Sequence, residues 1–173
     1  MKKTSPSPPP ERDATASEMR ALGHPLRWRI LRLTLDEALT NKEIAARLRR
    51  DPGTVLYHVR LLAREGFLVA EDVRPGKRGA RERPYRASGK SWRIRLKPDA
   101  GSIAAILDAA REEIVEMGDD AAISTLRLGV RLKPADLDEL KRRIAALGDD
   151  FEPLDDPTGA PVGIVAVVHR RRR

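Results

Sequence analysis

Four residues in one stretch of eight have the chemistry to contact DNA, three of them at the edges of base pairs. Arg60 can donate two hydrogen bonds to one guanine, Tyr57 can bond to a phosphate or a base edge, and Leu56 can contact a thymine methyl group. Gly53 has no side chain, so the backbone there can approach DNA closely, and the amides at a helix start attract phosphate. An ordinary solvated helix face is the alternative interpretation.

A helix over residues 52–65 is predicted to hold these four residues on one side. Asp51 is a favoured N-cap, and Pro52 suits the first helical position. The apolar residues at helical spacing, which we expect to face the core, are Val55, Val59 and Leu62. With that stripe inward, the four residues above share the outer side of the helix.

A shorter helix is predicted just before it, over residues 41–48. Thr40 and Glu43 have the spacing of a capping box, in which two side chains accept each other's backbone N–H groups. The expected buried residues of this helix are Ile44, Ala45 and Leu48. Because only a short turn containing Arg49 and Arg50 separates the two helices, the order indicates a helix-turn-helix, whose second helix enters the major groove.

Two segments of different composition precede this motif. Residues 1–13 are rich in Ser and Pro and predict a disordered arm. Residues 14–36 predict two helices, separated by Gly23, His24 and Pro25, where Gly favours a helix end and Pro a helix start.

A β-hairpin is predicted after the motif, with strands over residues 67–73 and 85–88 and a loop over 74–84. Its loop has one acid, Glu82, and five cations, which are Arg74, Lys77, Arg78, Arg81 and Arg83. A flexible cationic tip beside a helix-turn-helix can enter the adjacent minor groove or contact phosphates. We interpret the loop as a wing, the alternative being a solvated basic loop.

Four stretches together, "ALGHPLRWRILRL", "TNKEIAARL", "DPGTVLYHVRLLAREGFLV" and "RERPYRAS", resemble the ArsR-type winged helix-turn-helix transcriptional regulators over about residues 14–88. MarR-like winged helices share much of this pattern. The resemblance implies a homodimer on a pseudo-palindromic operator, usually repressing until an effector releases it. The positions that it places at DNA are Thr54, Tyr57, His58 and Arg60.

Two departures from the ArsR-type pattern are visible. The stretch "NKEIAARL" lacks the cysteine motif of the metal-sensing members, and the turn at Arg49 and Arg50 lacks the glycine often found there.

The predicted DNA-binding surface comprises Thr40, Lys42, Arg49, Arg50, Gly53, Thr54, Leu56, Tyr57, His58, Arg60, Arg64, Arg74, Lys77, Arg78, Arg81 and Arg83.

The second half of the chain predicts a small α/β domain. Residues 92–97 alternate as in a half-buried strand, and two helix-strand units follow. Their predicted elements are a helix over 102–117, a strand over 123–133, a helix from Pro134 to about Gly148, and a central strand over 162–168. The fold class is therefore α+β: an N-terminal winged helix-turn-helix over residues 14–90 and a C-terminal α/β domain over 91–173.

The C-terminal domain is predicted to serve dimerisation or effector binding. The apolar residues of its first helix that would pair with a second copy or cover the domain's own sheet are Ile103, Ile106, Leu107, Ala110 and Ile114. No convergent set of polar residues identifies an effector.

Charge favours a polyanion partner for the first half only. The net charge is +8, with 23 Lys/Arg against 11 Asp/Glu in residues 1–98, and 11 against 15 in residues 99–173. No basic helix pairs its cations with a broad apolar face, so a membrane surface is disfavoured as the polyanion.

Other function classes find little support. The chain has no cysteine, and His24, His58 and His169 are too scattered for a metal site, so we expect no metal and no cofactor. The acidic stretch over residues 149–156 lacks the spacing of a calcium loop. There is no phosphate-binding loop or dinucleotide motif, so we predict no enzyme. No signal peptide and no membrane span is evident, which indicates a cytoplasmic protein.

The function predicted from the sequence is therefore a sequence-specific DNA-binding transcriptional regulator, most simply a homodimeric repressor on double-stranded DNA. A non-specific or architectural nucleic-acid-binding protein is the alternative, because the arm, the wing and the Arg-rich tail over residues 170–173 are all basic.

Overall fold

The computed structural model describes residues 12–76, 80–97, 99–121 and 124–171. The chain divides into two compact units, Met1–Glu113 and Ile114–Arg173, called unit 1 and unit 2 below. The first eight elements of unit 1 are β1 (Arg12–Asp13), α1 (Ala16–Leu22), α2 (Pro25–Leu33), β2 (Leu39–Thr40), α3 (Asn41–Leu48), α4 (Pro52–Arg64), β3 (Leu68–Ala70) and β4 (Arg74–Pro75). The next are β5 (Arg81–Glu82), β6 (Pro84–Ala87), α5 (Lys90–Arg93), β7 (Ile94–Arg95) and α6 (Ala100–Met117), whose last turn lies in unit 2.

Side-chain caps begin the helices of the helix-turn-helix. Thr40 and Glu43 form both bonds of the predicted capping box at α3, and Asp51 accepts the backbone N–H of Thr54 at the start of α4, 2.8 Å away. A second capping box, at Thr15 and Glu18, begins α1 and was missed in the sequence. These caps satisfy amides that no helical carbonyl can reach, so each helix start is fixed by local residues.

A three-stranded antiparallel sheet with the order β2-β6-β3 closes unit 1. Leu39 pairs with Tyr85, and Leu68 pairs with Ala87. The outer part of the hairpin is a separate two-stranded ladder, in which Arg74 of β4 pairs with Glu82 of β5. The hairpin predicted for residues 67–88 is thus present, with its strands divided into two short ladders.

The core of unit 1 lies between α1 to α4 and the sheet. Its fully buried large side chains include Leu22, Ile30, Leu39, Ile44, Val55, Val59, Leu62 and Phe67. The predicted inward stripes of α3 and α4 are therefore confirmed. Because the apolar residues of α1 to α4 meet in one cluster, the positions of α3 and α4 are fixed relative to each other.

Glu18 fastens the N-terminal segment to unit 1. It is buried, and its carboxylate accepts two hydrogen bonds from Arg12, at 2.6 and 2.9 Å, and one from the backbone N–H of Thr15. Lys90 of α5 lies 2.6 Å from the same carboxylate. The hydrogen bonds from Arg12, the ammonium group of Lys90 and the backbone N–H of Thr15 together hold the pKa of Glu18 far below its usual range.

The predicted N-terminal arm, residues 1–13, is described by the structure only at its end. Most of the predicted disordered arm, residues 1–11, lies outside the described residues. Its last two residues, Arg12 and Asp13, are ordered as β1, which pairs in parallel with β7. Their order follows from the pairing of β1 with β7, 82 positions along the chain, and from the bonds between Arg12 and Glu18, which composition alone does not reveal.

The predicted strand over residues 92–97 is only partly present. Residues up to Arg93 form the short helix α5, and only Ile94 and Arg95 are in β7. Gly89 precedes α5 with a positive φ of 75°, a conformation that glycine adopts without strain. The chain therefore turns before Trp92, whose side chain is half exposed, so the expected alternation of burial begins only at Ile94.

Unit 2 contains one long helix, α7 (Pro134–Phe151), followed by a 3-10 turn (Glu152–Leu154). The helix runs through Gly148, past the end predicted there. The two predicted strands are absent from the described residues, because 124–133 and 160–171 are assigned neither helix nor strand. The alternation that predicts those strands is present in the sequence, but within this chain the segments lack the neighbouring strand whose hydrogen bonds define a sheet.

Candidate nucleic-acid interface

Helix α4 turns an uninterrupted polar side away from the core of unit 1. Its buried residues are Val55, His58, Val59 and Leu62, and its exposed ones include Gly53, Thr54, Tyr57, Arg60 and Arg64. Tyr57 is 63% exposed, and Leu56 is half-buried. The predicted outer side is therefore at the surface, except that Leu56 is partly covered.

His58 is held inside unit 1 by Arg27. The guanidinium Nε of Arg27 donates to Nδ1 of His58 at 3.1 Å, and its Nη1 donates to the carbonyls of Arg20 and Ala21 in the last turn of α1. The ring of His24 lies 4.7 Å from that of His58. Arg27 thus joins the α1–α2 corner directly to the helix that carries the exposed polar side.

Burial controls the protonation of this cluster. It lowers the pKa of His58 to about 4, and the charges of His24 and Arg27 act in the same direction. Burial also lowers the pKa of His24 and of Arg27. His58 is therefore neutral at pH 7, as it must be for Nδ1 to accept the proton of Arg27.

Two predicted contact residues are not available to a partner molecule. Thr40 is buried, and its hydroxyl accepts the backbone N–H of Glu43. His58 is buried and bonded to Arg27. Both side chains support the fold of unit 1 rather than face outward. The sequence pattern alone could not distinguish them from surface residues, and we remove them from the interface.

The turn between α3 and α4 contains a backbone conformation that side chains rarely adopt. Arg49 has φ 50° and ψ 45°, the left-handed region, and it is the one described non-glycine residue with a positive φ. The left-handed conformation costs about 1–2 kcal/mol for a residue with a Cβ. The chain therefore retains a cation where a glycine would be less strained. Asn41 fixes the same turn by donating to the carbonyl of Pro52 at 2.9 Å.

Five exposed arginines around α4 and the wing make no ion pair with any residue that the structure describes. They are Arg49, Arg50, Arg60, Arg81 and Arg83. An exposed cation without a carboxylate partner keeps its full charge for an external anion. The interface therefore offers positive charge at the turn, at the middle of α4 and on the second strand of the wing.

Two other predicted contacts have internal partners that connect the wing to α3. Lys42 Nζ lies 3.0 Å from Glu82, and Arg74 Nη2 lies 2.6 Å from both carboxylate oxygens of Glu43. These acids were missed as site residues, although Glu82 is the lone acid among the cations of the loop. The two ion pairs position the base of the wing against the first helix of the motif.

Glycines permit close packing at two points of the interface. A Cβ on Gly53 would lie 3.0 Å from Oδ2 of Asp51, so this glycine leaves room for the cap of α4. A Cβ on Gly76 would lie 2.5 Å from Cδ of Glu82, so that glycine lets the side chain of Glu82 cross the wing. Because Asp51 already occupies the amide of Thr54, the amides at the start of α4 are not all free for phosphate.

The tip of the wing, with the predicted contacts Lys77 and Arg78, lies outside the described residues.

Beside α4, a cavity of about 250 Å³ is lined by Arg20, Arg27, Tyr57 and Arg64, together with Ser17, Ala21, Leu61 and Glu65. Arg20 and Arg64 are exposed and continue the positive surface from α4 toward α1, whereas Arg27 is buried. Arg64 has a long contact with Glu65, at 3.4 Å.

Helix α6 has one buried and one exposed side. Ser102, Ala105 and Ala109 are buried, while Glu112 and Glu113 pair with Arg29 and Arg32 of α2 at 2.9 and 2.5 Å. Of the five residues predicted to serve a dimer or an effector, Leu107 and Ile114 are exposed, and Ile103, Ile106 and Ala110 are half-buried. The structure thus leaves an apolar strip on α6 that is exposed at Leu107 and Ile114 and partly covered between and before them.

Within the described parts of the chain, no group of three or more His, Asp and Glu residues is arranged to hold a metal ion. No helix among them is long and apolar enough to cross a membrane.

Comparison with known proteins identifies one domain. The family model described as a helix-turn-helix domain matches residues 22–70, which span α2 to β3. No curated protein matches the chain significantly. Similar solved structures include a mutant of Lactococcus lactis ZitR, at 16% identity over 73% of each chain with a TM-score of 0.35. The S. aureus MepR–DNA complex is also similar, at 16% identity with a TM-score of 0.27, and the match covers 82% of this chain and 81% of that one.

Proposed function

We propose that the chain, which contains a helix-turn-helix domain over residues 22–70, is a sequence-specific DNA-binding transcriptional regulator of the ArsR type. It acts without catalysis, as a homodimeric repressor on double-stranded DNA. Helix α4 enters the major groove, and the wing contacts the adjacent minor groove or phosphates. The observation that carries the proposal is the outer side of α4, where Tyr57 and Arg60 are exposed and Arg60 has no ion pair with a described residue.

The arrangement of charge supports separate roles for the residues of the interface. Arg60 lies at the middle of α4, where a guanidinium can bind guanine O6 and N7 together. Arg49 and Arg50 lie in the turn, where they suit phosphates, which position a protein without reading sequence. The retention of the strained Arg49 supports such a role, because strain that persists is often connected with function.

The apolar strip of α6 supports the homodimer. Ile103, Leu107, Ala110 and Ile114 follow one another at spacings of four, three and four residues, which is the seam of a helix pair. Their side of the helix is partly exposed, whereas Glu112 and Glu113 fasten α6 to α2. We assign residues 14–90 to DNA binding and residues 91–173 to dimerisation or effector binding, and the effector is a small molecule without an assigned class.

The test is selection of bound fragments from sheared genomic DNA at near-physiological salt, followed by affinity measurements with variants. We expect an inverted repeat whose half-site centres lie about one helical turn, or a multiple of it, apart. Arg60→Ala should cost about 1–3 kcal/mol on the selected site and relax preference at one base pair, whereas Arg81→Ala should weaken all sequences evenly. Arg142→Ala in α7 removes the same charge outside the helix-turn-helix and serves as the control.

Salt dependence separates a phosphate-binding surface from one that binds little charge. If the dimer neutralises roughly 6–10 phosphates, affinity should fall about 10³–10⁵-fold between roughly 50 and 200 mM salt. Equal losses for Arg60→Ala on the selected site and on random DNA would contradict base reading by α4. A flat ranking of all sequences would instead favour the alternative, a non-specific or architectural nucleic-acid-binding protein.

A further inference from the structure

Unit 2 has the sequence pattern of a folded domain but no interior. Among the residues of unit 2 whose burial is described, 114–119, 121 and 124–171, no side chain is buried, and α7 itself has none. Ten large apolar side chains outside α6 are instead 43–89% exposed, and they are Leu126, Leu128, Val130, Leu132, Leu147, Phe151, Leu154, Val162, Ile164 and Val168. Exposed apolar side chains in this number indicate a site of association.

The two apolar segments also have unused backbone groups. Within the described part of the chain, no backbone N–H or C=O of residues 124–132 or 160–168 makes a hydrogen bond. In the first segment, Leu126, Leu128, Val130 and Leu132 recur every second residue, so an extended backbone would place them on one face. Both segments therefore have the alternating side chains and the free edges of strands without neighbours.

One side-chain contact links the two segments. A Cβ on Gly129 would lie 3.4 Å from Nη1 of Arg171, so the side chain of a residue that follows the second segment reaches the first. A segment, a helix and a returning segment make one βαβ unit. Two strands alone are only marginally stable in water unless they pack against a helix, and no side chain of α7 is buried by such packing.

We infer that unit 2 is completed by unit 2 of a second copy of this chain. Residues 124–132 and 160–168 of two copies pair edge to edge into one sheet, and α7 and its symmetry mate cover its apolar face. The proposal deepens the homodimer of the proposed function and rests on it for the existence of a dimer, but it adds a second interface, separate from the strip on α6.

Charge favours a second copy as the occupant. Residues 114–173 contain 10 Lys/Arg and 11 Asp/Glu, so this unit is nearly neutral and has no excess charge to attract a nucleic acid or an anionic membrane. The charges are nevertheless segregated: five acids lie within residues 149–156 and four arginines within 170–173. A two-fold axis lets the acidic stretch of each copy face the basic tail of the other.

The available apolar area is sufficient for such an interface. Full burial of a Leu, Ile, Val or Phe side chain removes roughly 60–120 Å² from water, at the usual transfer free energy per area. Ten such side chains that are about half or more exposed therefore supply on the order of 500 Å² from each copy. Adding the polar rim brings the interface close to the roughly 800 Å² per partner of a stable complex.

The experiment compares two carboxylates introduced into the same segment of the full-length chain. Leu128→Asp places a charge on the apolar face, whereas Thr125→Asp places it on the opposite face, which the paired sheet leaves in solvent. Sedimentation equilibrium in the absence of DNA should show the dimer weakened roughly 30-fold or more by Leu128→Asp and little changed by Thr125→Asp.

Hydrogen exchange supplies a readout that a change on α6 alone would not produce. In the unaltered chain, amides of residues 124–132 and 160–168 should be protected at concentrations where the dimer is populated and should exchange freely where the monomer dominates. In Leu128→Asp they should exchange freely at both concentrations, while amides of α3 and α4 stay protected, which shows that unit 1 remains folded.

Two results would overturn the inference. One is protection of both segments in the monomer, which would mean that unit 2 folds within a single chain. The other is a Leu128→Asp dimer as tight as that of Thr125→Asp. Since neither measurement uses DNA, loss of the proposed DNA-binding function would be recognised separately, as failure of the selected fragments to bind the unaltered protein.

Discussion

Unit 1 and unit 2 have similarly clear apolar patterns in the sequence and very different interiors in the structure. In unit 1, the stripes of α2, α3 and α4 meet in one core, with Ile30, Ile44 and Leu62 completely buried. In unit 2, Leu126 is 89% exposed although it belongs to an equally regular alternation. Periodicity thus identifies which face of a helix or strand is apolar. Whether that face is buried depends on whether the same chain supplies other helices and strands to pack against it.

The comparison can be tested most strongly by removing apolar side chains from both units. Leu62→Ala should lower the free energy of unfolding by about 2–5 kcal/mol, because it leaves a cavity in a packed core. At concentrations where the chain is monomeric, Leu126→Ala should change it by less than about 0.5 kcal/mol. Chemical denaturation followed by circular dichroism measures both values. A large loss for Leu126→Ala in the monomer would show that unit 2 has an interior of its own.

The polar interior of unit 1 predicts a pH dependence that unit 2 cannot share. Because the folded pKa of His58 is about 4 and the unfolded pKa is about 6.5, the unfolded chain binds more protons between these values. His58 therefore stabilises the fold least at low pH, and stability should fall by on the order of 2–3 kcal/mol as pH drops from about 6.5 to 4, with full stability above this range.

The variant His58→Asn identifies the residue responsible, since the amide oxygen of Asn can accept from Arg27 Nε but does not titrate. Unfolding measured across the same pH range should show most of the slope removed. The remainder comes from His24, whose pKa burial also lowers, and near pH 4 from Glu18 and Glu43, whose pKa values are lowered too. An unchanged slope would exclude His58 as its source.

The smallest expected effect concerns the turn of the interface. Arg49→Gly should raise the free energy of unfolding by about 0.5–1 kcal/mol, because glycine adopts the left-handed conformation without the cost that a Cβ brings, less its greater chain entropy when unfolded. Arg50→Gly removes the same charge where φ is not positive, so it should be neutral or destabilising. If both variants behave alike in thermal unfolding, the conformation of Arg49 is not strained.

Local signals in the sequence predicted most of unit 1. The capping box at Thr40, the N-cap Asp51 and the stripe of α4 depend on residues a few positions apart, and the structure confirms them. The contacts that were missed connect distant residues: Arg27 and His58 are 31 positions apart, and Lys42 and Glu82 are 40 apart. A polar residue at a core position, such as His58, cannot be assigned until its partner is known.

The absent strands of unit 2 have a different origin. Their alternation predicts strands, but a strand exists only when another backbone bonds to it. The sequence of one chain contains no information about an edge supplied by a second molecule. The same limit applies to the site: exposure of Tyr57 and Arg60 followed from the stripe of α4, whereas the ion pairs of the wing required the fold.

The parallel pairing of β1 with β7 has a consequence for the order of folding. It joins segments 82 positions apart, whereas the helices and the turn between α3 and α4 form from neighbouring residues. Closing so long a loop costs more chain entropy than any local contact, and only two short strands and the bonds of Glu18 repay it. We therefore expect the N-terminal segment to be secured after the helix-turn-helix when the chain folds, as we do for α6, whose ion pairs with α2 join residues 83 and 81 positions apart.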